Sequence, residues 1–149
     1  MGEDLSMYSS ELKVGYAFES TFDVNESMTV PGMYTTVPFA SEMPPVLATG
    51  YMVGIMELAC TGAVMRFVDW PRVQSVGTLV TFKHLAATPP GMQLKIKGEV
   101  VELEGRRIRF KVEAWDAHDK ICEGEHERFF IDPAKFNAKL AQKQGKAGA

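Results

Sequence analysis

Hydrophobic and polar residues alternate over several stretches of the chain, which is the pattern of half-buried β-strands. The first alternation, carried by Leu12, Val14, Tyr16 and Phe18, predicts strand one. Four further strand-like runs follow Pro71. They cover residues 73–84, 92–102, 106–115 and 120–131. Turn-forming residues separate the last three runs, which predicts that these three strands form an antiparallel meander.

The segment 46–67 is apolar nearly all round, with Glu57 as its only charged residue before Arg66. A helix with this pattern is buried, so we predict one long buried helix here. A run of about 20 apolar residues also suits a membrane span, and Gly50 and Gly54 have the spacing of a membrane dimerisation motif. A charge at the centre of a span costs about 3 kcal/mol, however. Because the strands also need a helix to cover them, the soluble interpretation accounts for more residues.

Prolines and glycines break residues 25–45 into an irregular stretch, which predicts a long loop. Loops of this length in compact domains often act as lids or binding segments. After the strands, Pro133 and the spacing of Phe136 and Leu140 predict a short closing helix, with a short disordered tail from about residue 143. This order of elements predicts an α+β domain whose antiparallel sheet wraps around one long central helix, a pattern that resembles the hotdog fold.

Length and composition fit one soluble domain over residues 1–149, with 46% hydrophobic and 23% charged residues. The net charge is −3 and no run of Lys or Arg stands out, which argues against a nucleic-acid partner. Cys60 and Cys122 lack metal-binding spacing, so we expect two buried free thiols in a reducing compartment. The start of the chain lacks the pattern of a signal peptide, so we expect a cytoplasmic protein.

Glu57 is the first candidate for chemistry, because an ionisable group within an apolar helix must be paired, hydrogen-bonded or neutralised. It would serve as a general base or nucleophile, or it lies on a solvated stripe, or it pairs structurally with an arginine. Thr49 lies eight residues earlier, about 12 Å away along a helix, so the two side chains cannot touch directly. Thr49 is either a site residue or an N-cap of the helix.

His84 and Arg128 are further candidates because alternation directs both toward the inner face of the sheet. An inward histidine is either a hydrogen-bonded core residue or a proton-transfer group. Arg128 must point inward because Glu123, Glu125 and Glu127 fill the other face of its strand. Its guanidinium then needs a partner. That partner is either a carboxylate in a structural ion pair or a carboxylate of the functional site. His118 lies in a predicted turn, where we expect a solvent-exposed side chain.

Six sequence strings, in the same order over roughly residues 10–143, resemble the fluoroacetyl-CoA thioesterase family. They are residues 47–60, LATGYMVGIMELAC; 76–78, VGT, ahead of His84; 86–91, AATPPG; 101–107, VELEGRR; 124–128, GEHER; and 136–139, FNAK. One such string would be weak support. Six of them across nearly the whole chain make the resemblance specific.

The resemblance implies a hotdog homodimer, or a higher oligomer, that hydrolyses short acyl-CoA thioesters with a Thr, Glu and His set. Thr49, Glu57 and His84 match these catalytic positions. Gly77 matches the glycine whose backbone lies near the thioester carbonyl, and Arg128 matches the arginine of the HER string. Coenzyme A is then part of the substrate, and neither a separate cofactor nor a metal is implied.

One departure from the family pattern concerns the segment before the helix. In the fluoroacetyl-selective member, phenylalanines in this segment form a lid over the acyl group, whereas the aligned positions here are Ala40 and Met43, with Phe39 nearby. We therefore expect Met43 and Phe39 to line a pocket with a broader or different short-acyl preference. Two other functions stay open: a non-catalytic acyl-CoA binding or sensor module, and a hotdog enoyl-CoA hydratase.

Overall fold

The computed structural model of the protein describes residues 7–147, which form six strands and three α-helices. The strands are β1 (Ala17–Asp23), β2 (Gln74–Val80), β3 (Lys83–His84), β4 (Gln93–Glu104), β5 (Arg107–Trp115) and β6 (Lys120–Ile131). The helices are α1 (Val30–Met33), α2 (Thr49–Val64) and α3 (Pro133–Ala147). Three 3₁₀ turns cover Glu26–Met28, Pro38–Glu42 and Met65–Phe67.

The strands form one antiparallel sheet in the order β1-β4-β5-β6-β2, with the short β3 also paired to β6. Strands β4, β5 and β6 are neighbours both in sequence and in the sheet, so the predicted meander is confirmed. The sheet covers helix α2, which gives the predicted hotdog arrangement of a sheet wrapped around a central helix. Strands β1 and β2 are the two edges of the sheet.

Alternation along the strands builds the core, because every second side chain faces α2. On β6, the inward Cys122, His126, Arg128 and Phe130 are buried, as predicted for Cys122 and Arg128. The glutamates of the opposite face make ion pairs with Arg107, Arg109 and Lys120. The buried apolar residues of β4 and β5 are Leu94, Ile96, Val100, Ile108, Phe110, Val112 and Ala114.

Helix α2 buries one face rather than its whole circumference. The buried residues recur at helical spacing and are Met52, Ile55, Met56, Cys60 and Val64. On another side of the helix the Leu58 side chain is 61% exposed. The expectation of a helix buried all round is therefore wrong for the single chain, because its one sheet covers only one side of the helix.

Helix α2 also starts later than predicted, at Thr49. The three residues before it are not helical, because the backbone N–H of Leu47 donates to the Thr88 carbonyl and Leu47 also bridges to Thr29. At the other end the helix tightens at Met65 into a 3₁₀ turn. In the described part of the chain, no helix is long and apolar enough to cross a membrane.

Strand one was predicted too early in the chain. It starts at Ala17, because Gly15 takes a φ of 96° in a turn that interrupts the alternation. Leu12 is buried as expected, but it lies outside the strand. The inward face of β1 is instead carried by Phe18, Ser20 and Phe22, which are half-buried.

The run predicted as one strand over residues 73–84 is two strands. The pairing register with β6 shifts between Gly77 and Leu79, and β2 ends before the two-residue β3. This irregularity interrupts the alternation along the run, so Thr78 and Val80, which a continuous strand would place on the same face as His84, are exposed.

The last helix, α3, continues through Ala147, so the prediction of a short helix and a disordered tail from about residue 143 is wrong for residues 143–147. The residues before Gly145 are mostly strong helix formers, which explains the longer helix. Residues 148 and 149 lie outside the described part of the chain. The predicted long loop over residues 25–45 contains α1 and two 3₁₀ turns.

Candidate functional site

Thr49 and His84 meet at the start of the central helix. The Thr49 hydroxyl lies 2.8 Å from His84 Nδ1, and His84 is held there because β3 pairs with Cys122 on β6. Thr49 is the first residue of α2, while Ala48 takes the N-cap position without a side-chain cap. The alternative that Thr49 is the N-cap is therefore wrong, and its hydroxyl is committed to the histidine instead.

In the part of the chain that the structure describes, the His84 imidazole has one nitrogen without a hydrogen bond. Burial is the largest cause that lowers the pKa of His84 below its ordinary value, and the nearby Ala86 backbone opposes this effect. Its Nε2 atom is buried and has no hydrogen-bond partner among the described residues. A neutral imidazole can accept and return a proton, and Thr49, whose hydroxyl lies beside it, is exposed.

Glu57 lies on the side of α2 that faces β2. Its Oε1 atom lies 3.3 Å from Arg128 Nη1, and its side chain is 38% exposed whereas that of Arg128 is 9% exposed. The predicted inward direction of Arg128 is confirmed, and Glu57 is the carboxylate that pairs with it. Because this carboxylate is partly open to solvent, the ion pair does not prevent Glu57 from meeting a ligand.

Gly77 provides the space into which the Glu57 carboxylate projects. A Cβ atom added at Gly77 would lie 2.9 Å from Glu57 Oε1, 3.2 Å from His126 Cε1 and 3.4 Å from Arg128 Nη1. Any side chain at this position would therefore displace the carboxylate. The glycine leaves backbone, rather than a side chain, next to Glu57.

Arg128 is anchored by residues that the sequence did not single out. Its Nε donates to the Ser75 hydroxyl at 2.7 Å and its Nη2 donates to the Ser75 carbonyl at 2.8 Å. Its Nη1 lies 3.1 Å from Nε2 of the fully buried His126. The shared inward face of His126 and Arg128 on β6 was a usable signal, whereas nothing local marks Ser75 as a partner.

The two groups of side chains lie apart on the same chain. Eight residues separate Thr49 from Glu57, which corresponds to about 12 Å along the helix axis. Among the described residues, the Glu57 carboxylate makes no hydrogen bond to either Thr49 or His84. The single chain therefore presents one half-site with a hydroxyl and an imidazole, and another with a carboxylate and a guanidinium.

A cavity of about 390 Å³ opens beside Thr49, between the start of α2 and the segment 30–43. Phe39 and Met43, both predicted to bind substrate, line this cavity and are 68% and 43% exposed. Most of its other lining residues are apolar, so the cavity suits a small apolar group. The other residues that line the cavity are Val30, Tyr34, Val37, Ala40, Ala48, Thr49 and Gly50.

The remaining candidates lie outside these half-sites. His118 is exposed in a turn, where its backbone N–H donates to Asp116 Oδ1, as the sequence predicts. Cys60 and Cys122 are free and buried as expected, and burial raises the pKa of each thiol to about 12. Among residues 7–147, no group of three or more His, Cys, Asp or Glu side chains is arranged to hold a metal ion.

Known proteins provide a close match to this sequence. The family model described as fluoroacetyl-CoA-specific thioesterase matches residues 24–134. A fluoroacetyl-CoA thioesterase of Streptantibioticus cattleyicolor is 42% identical over 132 residues, which cover 89% of this chain and 94% of that protein.

Solved structures agree with the sequence comparison. The structure of the fluoroacetyl-CoA thioesterase FlK has a TM-score of 0.86 at 42% identity and covers 90% of this chain and 98% of its own. A thioesterase superfamily member of Thermus thermophilus has a TM-score of 0.80 at 27% identity and covers 93% of this chain and 98% of its own. Since both the family model and the 42% identical relative span most of the chain, the protein belongs to the fluoroacetyl-CoA-specific thioesterase family.

Proposed function

We propose that the protein hydrolyses short-chain acyl-CoA thioesters to the free acid and CoA. The observation that carries this proposal is the partly exposed Glu57 carboxylate, held by Arg128 against the open face of Gly77. A carboxylate in this setting can attack a carbonyl carbon or activate a water molecule. Membership of the thioesterase family indicates that the bond to be broken is a thioester.

In the proposed reaction the acyl carbonyl oxygen accepts hydrogen bonds from backbone N–H groups at the start of α2 or beside Gly77. Along one route Glu57 attacks the carbonyl carbon, the C–S bond breaks, and water then hydrolyses the mixed anhydride. Along the other route Glu57 removes a proton from the water that attacks. The proton that the attacking water gives up passes through the neutral His84 to the departing thiolate, and the Thr49 hydroxyl orients His84 or the substrate.

A single turnover in ¹⁸O-labelled water tests for the anhydride route. When water attacks the Glu57 carbonyl carbon of the anhydride, the label enters the Glu57 carboxyl group and the released acid contains an oxygen from Glu57, so label in Glu57 identifies this route. On the general-base route, as when water attacks the acyl carbon of the anhydride, the label goes into the released acid. Mass spectrometry of the acid and of the peptide that contains Glu57 distinguishes these results.

The proposed active unit is a homodimer in which Glu57 of one protomer faces Thr49 and His84 of its partner. The axial separation of about 12 Å within one chain supports this arrangement, because one protomer does not bring the three side chains together. Leu79 and Val80 support it as well, since they are 38% and 44% exposed on β2 at one edge of the sheet. Exposed apolar edge strands are commonly covered by another chain.

The acyl preference follows from the cavity beside Thr49. Met43 and the small Ala40 line it, and a methionine side chain adapts to ligands of different shape. We therefore expect turnover of acyl groups beyond acetyl and fluoroacetyl. The chemistry requires no cofactor other than the CoA of the substrate, and the two free thiols fit a cytoplasmic location.

The test is release of free thiol from acetyl-, propionyl-, butyryl- and fluoroacetyl-CoA by wild-type protein and by Glu57→Gln and His84→Ala. Matched controls are Glu104→Gln and His118→Ala, which change the same residue types at exposed positions. We expect turnover in the wild type and both controls and a loss of about 100-fold or more in both site variants. Tight acyl-CoA binding without thiol release would instead indicate a binding module, and hydration of crotonyl-CoA would indicate a hydratase.

A further inference from the structure

His126 is a buried titratable residue to which the proposed reaction assigns no role. Its side chain is fully buried on β6. The ring has two aromatic neighbours, with centroid separations of 6.5 Å to Phe110 and 6.1 Å to Phe82. Packing therefore leaves the imidazole little freedom to change its orientation.

The hydrogen-bond partners of His126 determine which of its nitrogens carries the proton. Nδ1 lies 2.8 Å from the Leu79 carbonyl oxygen, which only accepts, so Nδ1 must be protonated and donate. Nε2 lies 3.1 Å from Arg128 Nη1, which only donates, so Nε2 must be unprotonated and accept. The two contacts together require the neutral ring with its proton on Nδ1.

The accepting nitrogen contacts the same Arg128 atom that reaches Glu57. Ser75 holds the other two nitrogens of the guanidinium, while Nη1 is shared between His126 Nε2 at 3.1 Å and Glu57 Oε1 at 3.3 Å. A continuous chain of contacts therefore runs from the Leu79 carbonyl through His126 and Arg128 to the Glu57 carboxylate.

We propose that His126 is a positioning residue, which fixes Arg128 Nη1 by accepting its hydrogen bond and so sets where the Glu57 carboxylate lies. This inference rests on the proposed role of Glu57 in thioester hydrolysis. His126 can accept only while it is neutral, because a proton on Nε2 would remove the acceptor and place a second positive charge beside Arg128. The charged groups around His126 are Glu57 on α2 and Glu127 and Arg128 on β6, and the titratable Cys60 on α2 lies near Arg128.

A matched pair of amide variants separates the two hydrogen bonds of His126. The amide of His126→Gln can reach the position of Nε2 and accept from Arg128, whereas the shorter His126→Asn can reach only the position of Nδ1 and donate to Leu79. We expect His126→Asn to lower kcat about tenfold with little change in KM. We expect His126→Gln to keep kcat within about threefold of the wild type, although it also loses a buried contact.

A double-mutant comparison tests whether His126 acts through Arg128. In an Arg128→Gln background, the change His126→Asn should alter kcat less than about twofold, because the guanidinium to be positioned is gone. An undiminished tenfold effect in that background, or equal kcat values for the Asn and Gln variants, would overturn the proposal.

The ¹⁵N NMR spectrum of wild-type protein with labelled histidine provides a test that needs neither turnover nor a variant. We expect the His126 ring at pH 7.5 to be neutral with Nδ1 protonated and Nε2 unprotonated. A ring with its proton on Nε2, or a doubly protonated ring, would refute the positioning role. Absence of thiol release from every ester would refute the proposed function, and the NMR result would still decide the state of His126.

Discussion

The Thr49 hydroxyl and His84 Nδ1 lie 2.8 Å apart, so the first residue of the central helix is joined to a strand by one side-chain hydrogen bond. The contact joins positions 35 residues apart in sequence. It explains why Thr49 does not act as a conventional helix cap, and it gives the exposed end of the helix a polar pair next to the cavity.

This contact predicts that the hydroxyl of Thr49, rather than the bulk of its side chain, supports turnover. Thr49→Val should lower kcat by about tenfold to 100-fold, whereas Thr49→Ser should stay within about threefold of the wild type. Steady-state thiol release measures both, and thermal unfolding checks that the variants fold. Equal activity of the valine and serine variants would remove the hydroxyl from the mechanism.

Because Gly77 has no side chain next to Glu57, adding one methyl group at this position should lower turnover more than it lowers stability. Gly77→Ala places a Cβ atom 2.9 Å from Glu57 Oε1, so the carboxylate must move. We expect kcat to fall about tenfold or more, while the free energy of unfolding changes by less than about 2 kcal/mol. Gly145→Ala is the control, because a Cβ atom there meets nothing within 4 Å. Unchanged kcat in Gly77→Ala would show that the position of this carboxylate is not critical.

The cavity beside Thr49 predicts that Met43 influences acyl length. Met43→Phe should reduce the cavity and lower kcat/KM for butyryl-CoA about tenfold relative to acetyl-CoA, as expected when a pocket no longer fits additional methylene groups. Met65→Phe serves as the control, because Met65 is also partly exposed but does not line the cavity. A uniform change for all esters would argue against contact between Met43 and the acyl group.

The buried His126 and the half-buried His84 predict that stability falls in mildly acidic solution. Burial is the largest cause that lowers the pKa of both His84 and His126 below the ordinary 6.5. Between the lowered values and 6.5 the unfolded chain binds more protons than the folded chain, so the free energy of unfolding decreases as pH falls through this window. Urea unfolding at pH 7.5 and pH 5.5, at one protein concentration, should give a lower midpoint at pH 5.5.

The variant His126→Asn measures how much of this pH effect comes from His126. In His126→Asn the decrease between pH 7.5 and pH 5.5 should be smaller, because one of the two titrating rings is absent. The pKa values of Glu123 and Glu127 are lowered below their ordinary 4.5, so these carboxylates titrate outside the window. A midpoint that stays constant or rises at pH 5.5 would contradict the expected neutral state of the rings.

Much of the fold was predictable because its periodic patterns are local. Alternation placed Arg128 on the inner face of β6, and the single charge in an apolar run identified Glu57. Strand β1 was misplaced because the turn at Gly15 interrupts an otherwise regular alternation. The burial of α2 was overestimated because composition describes how apolar a helix is, but not how many of its sides the same chain covers.

Less of the site was predictable, because its contacts join distant parts of the chain. Ser75 binds Arg128 across 53 residues of sequence, and no short motif marks that pair. The role of His126 depends on which atoms meet its two nitrogens, which follows from the register of β6 with β2. The roles of Thr49, Glu57 and His84 in turnover stay predictions that activity measurements must test.

The most direct test of the account is the activity of a heterodimer with one Glu57→Gln protomer and one His84→Ala protomer, isolated with two affinity tags. If Glu57 acts on the half-site of its partner, one of the two sites in this heterodimer is intact, and its turnover should be about half that of the wild-type dimer. Turnover no higher than that of either variant homodimer would contradict a site shared between protomers.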